Sequence, residues 1–349
     1  MKAARFYGIR DVRVEDVPVS EIISQDEVLI KVKVAGICGS DISKYYKTGP
    51  RQTGDIIGHE FSGEVAETGS LSTEFKIGDP VVVCPALPCF KCGQCEQGEY
   101  SRCEDLGVLG SKGEGGGFAE YVKVNKKNVL KLPQGIDYET AAAIEPSCVA
   151  ARGLYKSGIK VGDTVVVVGA GPIGLFSIQW AKIFGGTKII AVDIFDEKLE
   201  LAKRVGADIC INSRTEDLQS RIDMLTNNKG VDLAIESAGT PKTCAQIIEL
   251  PKKGGKILYA GVPYGNVLMS SHEFEKILRY ELTVKGTWFG SSSPFPGKEW
   301  KSTIHYMKEG KILVTPFITH RISLNELPLT LEKVYKRDIF FSKIMIEMN

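Results

Sequence analysis

The segment Thr164-Val-Val-Val-Val-Gly-Ala-Gly-Pro-Ile-Gly174 decides the fold of the second half of this chain. Its four consecutive valines are typical of a parallel strand that is buried on both faces. The glycines that follow have the spacing G-x-G-x-x-G and lead into a helical segment. In that context they permit a tight turn and let the backbone approach a pyrophosphate at the helix N-terminus. The residues predicted to contact such a cofactor are Gly169, Gly171, Pro172, Ile173 and Gly174. The alternative is a glycine turn in some other α/β protein.

The next predicted strand, 188–193, ends in a carboxylate. Asp193 follows the glycine motif by about twenty residues, where a carboxylate binds the ribose hydroxyls and disfavours a 2′-phosphate. The sequence therefore predicts NAD rather than NADP, and Lys198 in the following helix is added to the predicted cofactor contacts. Further strands predicted at 231–236, 255–260 and 282–286 alternate with helices, which indicates a doubly wound parallel sheet.

The first 150 residues have a different pattern of short β-rich segments. Residues 27–34 alternate between apolar and charged side chains, and 61–67 and 79–84 are further strand candidates. Glycine and proline between these segments mark turns, so an irregular barrel is expected here rather than a helical bundle. A chain of 349 residues exceeds the size of most single hydrophobic cores, so we expect two domains.

Charge and hydropathy argue against nucleic-acid and membrane partners. The formal net charge is +1, and no run of about 18 apolar residues that would cross a bilayer occurs. The N-terminal residues lack the apolar core of a signal peptide, so we expect a cytoplasmic protein. Nine cysteines in a reducing compartment do not favour a disulfide framework.

Four of these cysteines form a compact cluster: Cys89, Cys92, Cys95 and, seven residues later, Cys103. Four thiolates at such spacing are typical of a closed structural zinc site. The alternatives are an iron–sulfur cluster, which similar spacings can hold, and free cysteines on a loop. Zinc is favoured because the sequence contains no second cysteine cluster and the flanking glycines indicate a surface lobe.

A second metal site is predicted from Cys38 and His59. A catalytic zinc typically has about three protein ligands and one open position, and thiolate and imidazole are suitable donors. A lone histidine is more often structural, but His59 lies in a glycine-flanked turn beside Glu60, twenty-one residues after Cys38. The other three histidines have no such context.

Taken together, these segments resemble the zinc-dependent medium-chain dehydrogenase/reductase family. The resemblance covers essentially the whole chain, and His59-Glu60 followed by Glu145-Pro146 is similar to its polyol branch. Segments at 109–112, 274–283 and 288–300 resemble the branch members that act on galactitol 1-phosphate. The implied fold is a GroES-like irregular β-barrel catalytic domain (1–155 and 290–349, with a zinc lobe at 85–105) and a Rossmann domain (156–289).

The resemblance also implies roles at the catalytic site. Cys38, His59 and Glu145 would bind catalytic zinc, and Glu60 would lie at the metal and exchange with it, so both glutamates are included. Glu145 could instead be a helix N-terminal carboxylate. Ser40 would take the proton of the alcohol. Relatives often carry a histidine just after the motif that reads Cys38-Gly-Ser40-Asp41 here, whereas Ser43 and Lys44 occupy that stretch in this chain. We therefore expect a ribose hydroxyl and water to complete the relay.

The implied enzyme contains two zinc ions, one catalytic and one structural, and transfers hydride between a polyol phosphate and NAD, with galactitol 1-phosphate favoured. Lys44 and Lys112 are candidate phosphate anchors, although surface lysines of no such function are common.

A sorbitol-, ribitol- or butanediol-type dehydrogenase and a non-catalytic, zinc-stapled nucleotide sensor remain alternatives. A zinc-free quinone reductase would lack the cysteine lobe. Family members form homo-oligomers, and a dimer is favoured over a tetramer.

Overall fold

The computed structural model describes residues 1–111 and 115–348. Its strands are β1 Lys2–Gly8, β2 Asp11–Asp16, β3 Glu27–Gly36, β4 Asp55–Ile56, β5 Glu60–Thr68, β6 Pro80–Val83, β7 Ala86–Leu87, β8 Gly107–Val108, β9 Tyr121–Asn125, β10 Val129–Lys131, β11 Thr164–Val168, β12 Lys188–Asp193, β13 Ile209–Asn212, β14 Val231–Glu236, β15 Pro251–Tyr259, β16 Thr283–Gly286, β17 Ile318–Ser323 and β18 Lys343–Glu347.

Its α-helices are α1 Gly39–Ser43, α2 Gly93–Glu96, α3 Tyr138–Ala142, α4 Ile144–Ser157, α5 Pro172–Ile183, α6 Asp196–Arg204, α7 Leu218–Thr226, α8 Pro241–Gln246, α9 Ser271–Arg279, α10 Lys298–Lys308 and α11 Leu327–Lys336. A π-helical segment, Lys44–Thr48, continues α1. In the described ranges, no helix combines the length and the apolar character that crossing a membrane requires.

The chain divides into two compact units. The first contains Met1–Glu145, Ser291–Gly310 and Phe317–Asn349, and the second contains Pro146–Gly290 and Lys311–Pro316. The short segment 311–316 therefore groups with the second unit, although it lies within the 290–349 stretch that the sequence assigns to the catalytic domain.

The second unit contains a six-stranded, all-parallel sheet in the order β13-β12-β11-β14-β15-β16. Numbered within the sheet this order is 3-2-1-4-5-6, that of dinucleotide-binding doubly wound sheets, and it confirms the predicted fold class. The valine strand β11 lies in the middle, and its four valines are at most 4% exposed. Apolar residues on both faces are required there because helices cover both sides of the sheet.

The first unit is built from mainly antiparallel sheets around one apolar core, with β17 and β18 as a parallel pair. Its main sheet has the order β10-β6-β5-β3-β18-β17, and β9 also pairs with β3. The central strand β3 alternates over its middle part, where Ile30 and Val32 are buried in the core and Lys31 and Lys33 are half-buried; Val28 and Leu29 before it are both buried. The C-terminal strand β18 pairs antiparallel with β3, so the end of the chain completes the sheet formed by its beginning.

Candidate active site and metal centres

The adjacent strands β3 and β5 bring the predicted catalytic ligands together. Cys38 follows the end of β3 and caps α1. His59 directly precedes β5, and Glu60 is the first residue of that strand, paired in register with Gly36. The sulfur of Cys38, a ring nitrogen of His59 and a carboxylate oxygen of Glu60 all lie within 4.8 Å of one another. Three residues that are separated in the sequence thus form one potential metal-binding group.

Asp41 supports this group from one turn into α1. Its carboxylate is fully buried, accepts a hydrogen bond from the Cys38 N–H at 3.0 Å, and lies 3.6 Å from Nδ1 of His59. A carboxylate behind a ligating histidine orients the ring and raises its basicity. The sequence analysis gave Asp41 no role. Its position three residues after Cys38, within the same motif, is the feature that could have suggested one.

Glu145 lies near this group but is not among the three clustered ligands. It is 5% exposed at the start of α4. Burial is the main cause that raises the pKa of Glu145 to about 7; His59 opposes this rise and Asp41 adds to it. The effect of both residues on its pKa is consistent with a position near the centre, and its role as the third zinc ligand stays a prediction.

Lys343, at the start of β18, is the residue of this centre that sequence reasoning missed. It is 1% exposed, its ammonium contacts the Glu60 carboxylate, and it donates to the carbonyl of Ile37 at 3.1 Å. Burial lowers the pKa of Lys343 to about 8, against the opposing effect of Cys38 and Asp41. Nothing in the local sequence marks this lysine, because its partner lies 283 positions away.

The donor set fits a zinc ion. Three carboxylates, those of Asp41, Glu60 and Glu145, are at most 5% exposed, and one ammonium balances one of them. Burial also raises the pKa of the Cys38 thiol, an effect that a bound cation would oppose. Buried acidic groups require compensating positive charge, and mixed sulfur, nitrogen and carboxylate donors are those that zinc prefers.

The predicted structural site is equally well formed. Its four ligand atoms lie within 4.8 Å of one another, and all nine cysteines of the chain are free thiols. Backbone N–H groups of Glu104 and Cys95 lower the pKa of Cys92 to about 6, whereas burial raises that of Cys95 to about 12. Four converging thiols suit a closed tetrahedral metal site.

Ser40 and Lys44 lie on the helical segment that begins at Cys38. Ser40 is half-buried, and its hydroxyl lowers the pKa of the Cys38 thiol by hydrogen bonding, although burial dominates and raises it. Lys44 is four residues further on and donates a hydrogen bond to the hydroxyl of Ser111 at 2.8 Å. The other candidate phosphate anchor, Lys112, lies outside the described residues.

In the second unit, the glycine turn has the geometry that a dinucleotide requires. Gly169 has a φ of +98°, and a Cβ there would lie 2.6 Å from the backbone nitrogen of Ala238. Gly174 is constrained more tightly, since a Cβ would lie 1.9 Å from the carbonyl oxygen of Gly169. Gly171 caps α5 and faces open space, with Pro172 as the first helical residue. The turn therefore leaves room in front of the α5 N-terminus.

Asp193 is fixed against this turn. Its carboxylate accepts hydrogen bonds from Ala170 N–H at 2.8 Å, Ile194 N–H at 2.7 Å and Phe195 N–H at 3.2 Å. Lys198 projects from α6 over the ring of Phe195, with Nζ 5.4 Å from its centroid. The structure thus places Asp193 at the carboxyl end of β12, beside the glycines, as the sequence predicts.

Comparison with known proteins identifies the family. Residues 24–134 match the model of the alcohol dehydrogenase GroES-like domain, and residues 172–309 match that of the zinc-binding dehydrogenase domain. The chain therefore belongs to the zinc-dependent alcohol dehydrogenases of the medium-chain family, which confirms the GroES-like and Rossmann fold, and it is an alcohol or polyol dehydrogenase.

Particular relatives include polyol enzymes. The chain is 38% identical over 310 residues to galactitol 1-phosphate 5-dehydrogenase of Escherichia coli (strain K12), covering 89% of each chain. It is 34% identical to sorbitol dehydrogenase of Bacillus subtilis (strain 168), covering 100% of this chain and 98% of the relative. The crystal structure of galactitol-1-phosphate dehydrogenase from Escherichia coli superposes with a TM-score of 0.94 at 35% identity, covering 99% of this chain and 100% of that one.

Proposed function

We propose that this protein oxidises a polyol phosphate, with galactitol 1-phosphate favoured, to its ketose phosphate with NAD⁺, and catalyses the reverse reaction. One observation carries the proposal: Ser40 and the cation of Lys44 are four residues apart on the helical segment that begins at the ligand Cys38. Residues so spaced share a helix face, about 5–6 Å apart at Cβ. In this proposal, the proton acceptor and the anion-binding group therefore share one face of the segment that follows Cys38.

The centre would bind one zinc through Cys38, His59 and Glu145, and the four-cysteine lobe would bind a second. Zinc bound there would supply Lewis-acid chemistry, and NAD⁺ would serve as the hydride acceptor. The Ser40 hydroxyl receives the proton of the substrate alcohol and passes it to a ribose hydroxyl and water. Asp41 holds the His59 ring in orientation from behind.

Lys44 supports the preference for a phosphorylated substrate. Its ammonium forms no ion pair with any residue in the described ranges, and its hydrogen bond to Ser111 leaves donors free. A phosphate would accept charge-assisted hydrogen bonds from it. Lys112 follows Ser111 directly in the sequence and stays a predicted second anchor.

The proposed cofactor is NAD rather than NADP. Three backbone N–H groups fix the Asp193 carboxylate at the glycine turn. Oδ1 accepts two of these hydrogen bonds, whereas Oδ2 accepts one and retains capacity to accept a ribose hydroxyl. A 2′-phosphate would meet this negative charge and be disfavoured. Cytoplasmic location is part of the proposal, since the four-thiol zinc site requires reduced cysteines.

We further propose a homodimer formed through the second unit. The edge strand β16 pairs only with β15 among the described strands, and all four of its residues are exposed. On α9, Phe274 and Leu278 are 53% and 64% exposed and share a helix face. Antiparallel pairing of β16 with a second copy would cover both features with two-fold symmetry.

Leu278→Glu should shift the mass measured by light scattering to that of a monomer, and Leu329→Glu on α11 is the control.

The substrate proposal is tested with paired free and phosphorylated polyols. Lys44→Met should lower kcat/KM for galactitol 1-phosphate by about tenfold to a hundredfold, since a hydrogen bond to a charged group contributes about 1.5–3 kcal/mol. Activity on free galactitol should not change, and Lys76→Met on an exposed turn is the control. A wild-type preference for sorbitol, ribitol or butanediol would refute the polyol-phosphate assignment. A chain that binds zinc only at the cysteine lobe and oxidises none of these alcohols would be the nucleotide sensor.

A further inference from the structure

The π-helical segment that begins with Lys44 is anchored in the first unit by a buried tyrosine. Gly49, at a φ of +71°, closes the segment by donating its N–H to the carbonyl of Lys44 at 3.0 Å. Tyr45 is 4% exposed and packs in the apolar core, whereas Lys44, one position earlier, reaches the hydroxyl of Ser111. Short π-helical segments are rare and occur frequently at functional sites.

The hydroxyl of Tyr45 is bound to a carboxylate of the C-terminal helix. It donates to Glu332 on α11 at 2.7 Å, and Nε of Arg10 donates to the same oxygen at 3.2 Å. The N–H of Arg10 in turn donates to the carbonyl of Tyr45 at 2.7 Å. Burial, and after it the hydrogen bond to Glu332, raises the pKa of Tyr45 to about 12, so the hydroxyl stays a donor at neutral pH. The backbone and the side chain of Tyr45 are thus both fixed, by residues from the two ends of the chain.

Tyr46 attaches the segment to the same helix at a second point. Its ring centroid lies 5.7 Å from that of Tyr335, and the guanidinium of Arg10 lies over the Tyr335 ring at 4.9 Å. Glu332 and Tyr335 are three residues apart on α11 and therefore share one helix face. That face contacts two successive residues of the π-helical segment, which restrains the segment from turning about its axis.

The hydroxyl of Tyr45 is not needed to fill the core. A phenylalanine would bury the same ring without a polar group that requires a partner. The hydroxyl adds a single permitted orientation, because only one placement of the ring brings it to the Glu332 carboxylate, and buried polar contacts can confer specificity in this way. Since Lys44 is bonded directly to Tyr45, the direction of the Lys44 side chain depends on that orientation.

We propose that Tyr45 and Glu332 are positioning residues that direct the Lys44 ammonium towards the phosphate group of the substrate. The inference rests on the proposed function, because it requires Lys44 as the phosphate anchor. It extends that function by assigning part of the selectivity for a phosphorylated polyol to α11. Tyr45 and Glu332 do not touch the substrate, and both act through Lys44.

The test uses the full-length, zinc-loaded enzyme and begins with Tyr45→Phe, which removes the hydroxyl and keeps the ring. The KM for galactitol 1-phosphate should rise about fivefold at unchanged kcat, the fold-change of one typical hydrogen bond that contributes equally to ground-state and transition-state binding. The kcat and KM for free galactitol should stay at their wild-type values. Glu332→Gln keeps an acceptor for the hydroxyl but loses the ion pair with Arg10, so its KM should lie between those of Tyr45→Phe and wild type.

Tyr138→Phe is the matched control. The hydroxyl of Tyr138 also donates to a carboxylate, that of Glu64 at 2.8 Å, and burial likewise raises the pKa of Tyr138 to about 12. Tyr138 lies on α3, away in sequence from the π-helical segment, so its substitution should leave the KM for galactitol 1-phosphate unchanged.

A double-mutant cycle separates positioning from a general loss of structure. Lys44→Met combined with Tyr45→Phe should have the KM of Lys44→Met alone, because Tyr45 acts only through the ammonium. Inorganic phosphate supplies a second readout: as a competitive inhibitor against galactitol 1-phosphate, it should bind Tyr45→Phe about fivefold more weakly than wild type.

The outcomes distinguish this inference from the proposed function. If Tyr45→Phe has the same KM as Tyr138→Phe, or if the losses in the double variant add, the positioning role is overturned while the polyol-phosphate assignment stands. Wild type that does not prefer the phosphorylated over the free polyol would overturn both. Retention of that preference in Lys44→Met would overturn Lys44 as the anchor and this inference with it.

Discussion

Removing the ring of Phe295 should loosen the four-cysteine lobe. The Phe295 ring lies against Phe90 and Tyr100, with centroids 5.2 Å and 5.5 Å away and interplanar angles of 83° in both pairs. Phe90 and Tyr100 also touch each other at 5.5 Å. Ser101 donates to the carbonyl of Ser291 at 2.9 Å. Segment 291–297 is therefore attached to the lobe twice, by this hydrogen bond and by the ring of Phe295.

The magnitude follows from the geometry. Perpendicular aromatic pairs contribute about 0.5–1.5 kcal/mol each, so two pairs contribute about 1–3 kcal/mol. Because Phe295 is only half-buried, Phe295→Ala should not reach the cost of about 3–5 kcal/mol that is typical of a fully buried ring. A local loss of about 2 kcal/mol increases the open population of the lobe about thirtyfold.

The assay is amide hydrogen exchange, combined with the rate at which a chromogenic chelator removes the structural zinc. Peptides covering 89–103 and 291–297 should both exchange faster in Phe295→Ala. Phe340→Ala is the matched control, since Phe340 is 42% exposed and has no ring partner among the described residues. If the 89–103 peptide exchanges within about twofold of the control, the aromatic cluster does not support the lobe, and the reasoning fails.

Three further predictions concern the catalytic centre, the cofactor and acid stability. Cys38→Ser should abolish turnover while NADH binding, followed by its fluorescence, persists; retained turnover would contradict the catalytic role of Cys38. Asp193→Ala should lower the NAD/NADP ratio of kcat/KM by about tenfold, the size of one charge-assisted contact, and an unchanged ratio would count against the ribose contact. Arg10, which donates to Glu332, is the main cause that lowers the pKa of Glu332 to about 2. Because the folded pKa is below the ordinary value of 4.5, this stabilisation is complete above about pH 4.5 and is lost as pH falls towards 2. The melting temperature of Glu332→Gln should therefore lie below that of wild type at pH 6 and approach it at pH 3; a constant difference would refute the assignment.

Local patterns allowed much of the fold to be predicted. The strands at 164–168, 188–193 and 231–236 have the predicted bounds, because a buried parallel strand shows as a short continuous apolar run. The strand predicted at 255–260 instead begins at Pro251, since its first residues are polar and lack that signal. The four cysteines were found from spacing alone, because a metal site within fifteen residues depends mainly on the local loop.

The catalytic centre was only partly predictable. Cys38 and His59 were found from residue type and local context, yet their approach to within 4.8 Å depends on the register of β3 against β5. Asp41 lay within the quoted motif, but its contact with His59 follows from the direction in which α1 leaves the strand. No sequence periodicity relates Cys38 or Asp41 to His59, so neither contact could be predicted.

The sequence by itself determined the parallel sheet, the glycine turn with Asp193 and the four-cysteine set, because each depends on residues that are close along the chain. Only the tertiary structure showed that Lys343 contacts Glu60 and that Phe295 packs against the cysteine lobe. Strand pairing and core packing join those residues across about two hundred positions or more. A local pattern contains no information about such a distant partner, so these contacts emerge only when the sheets have formed.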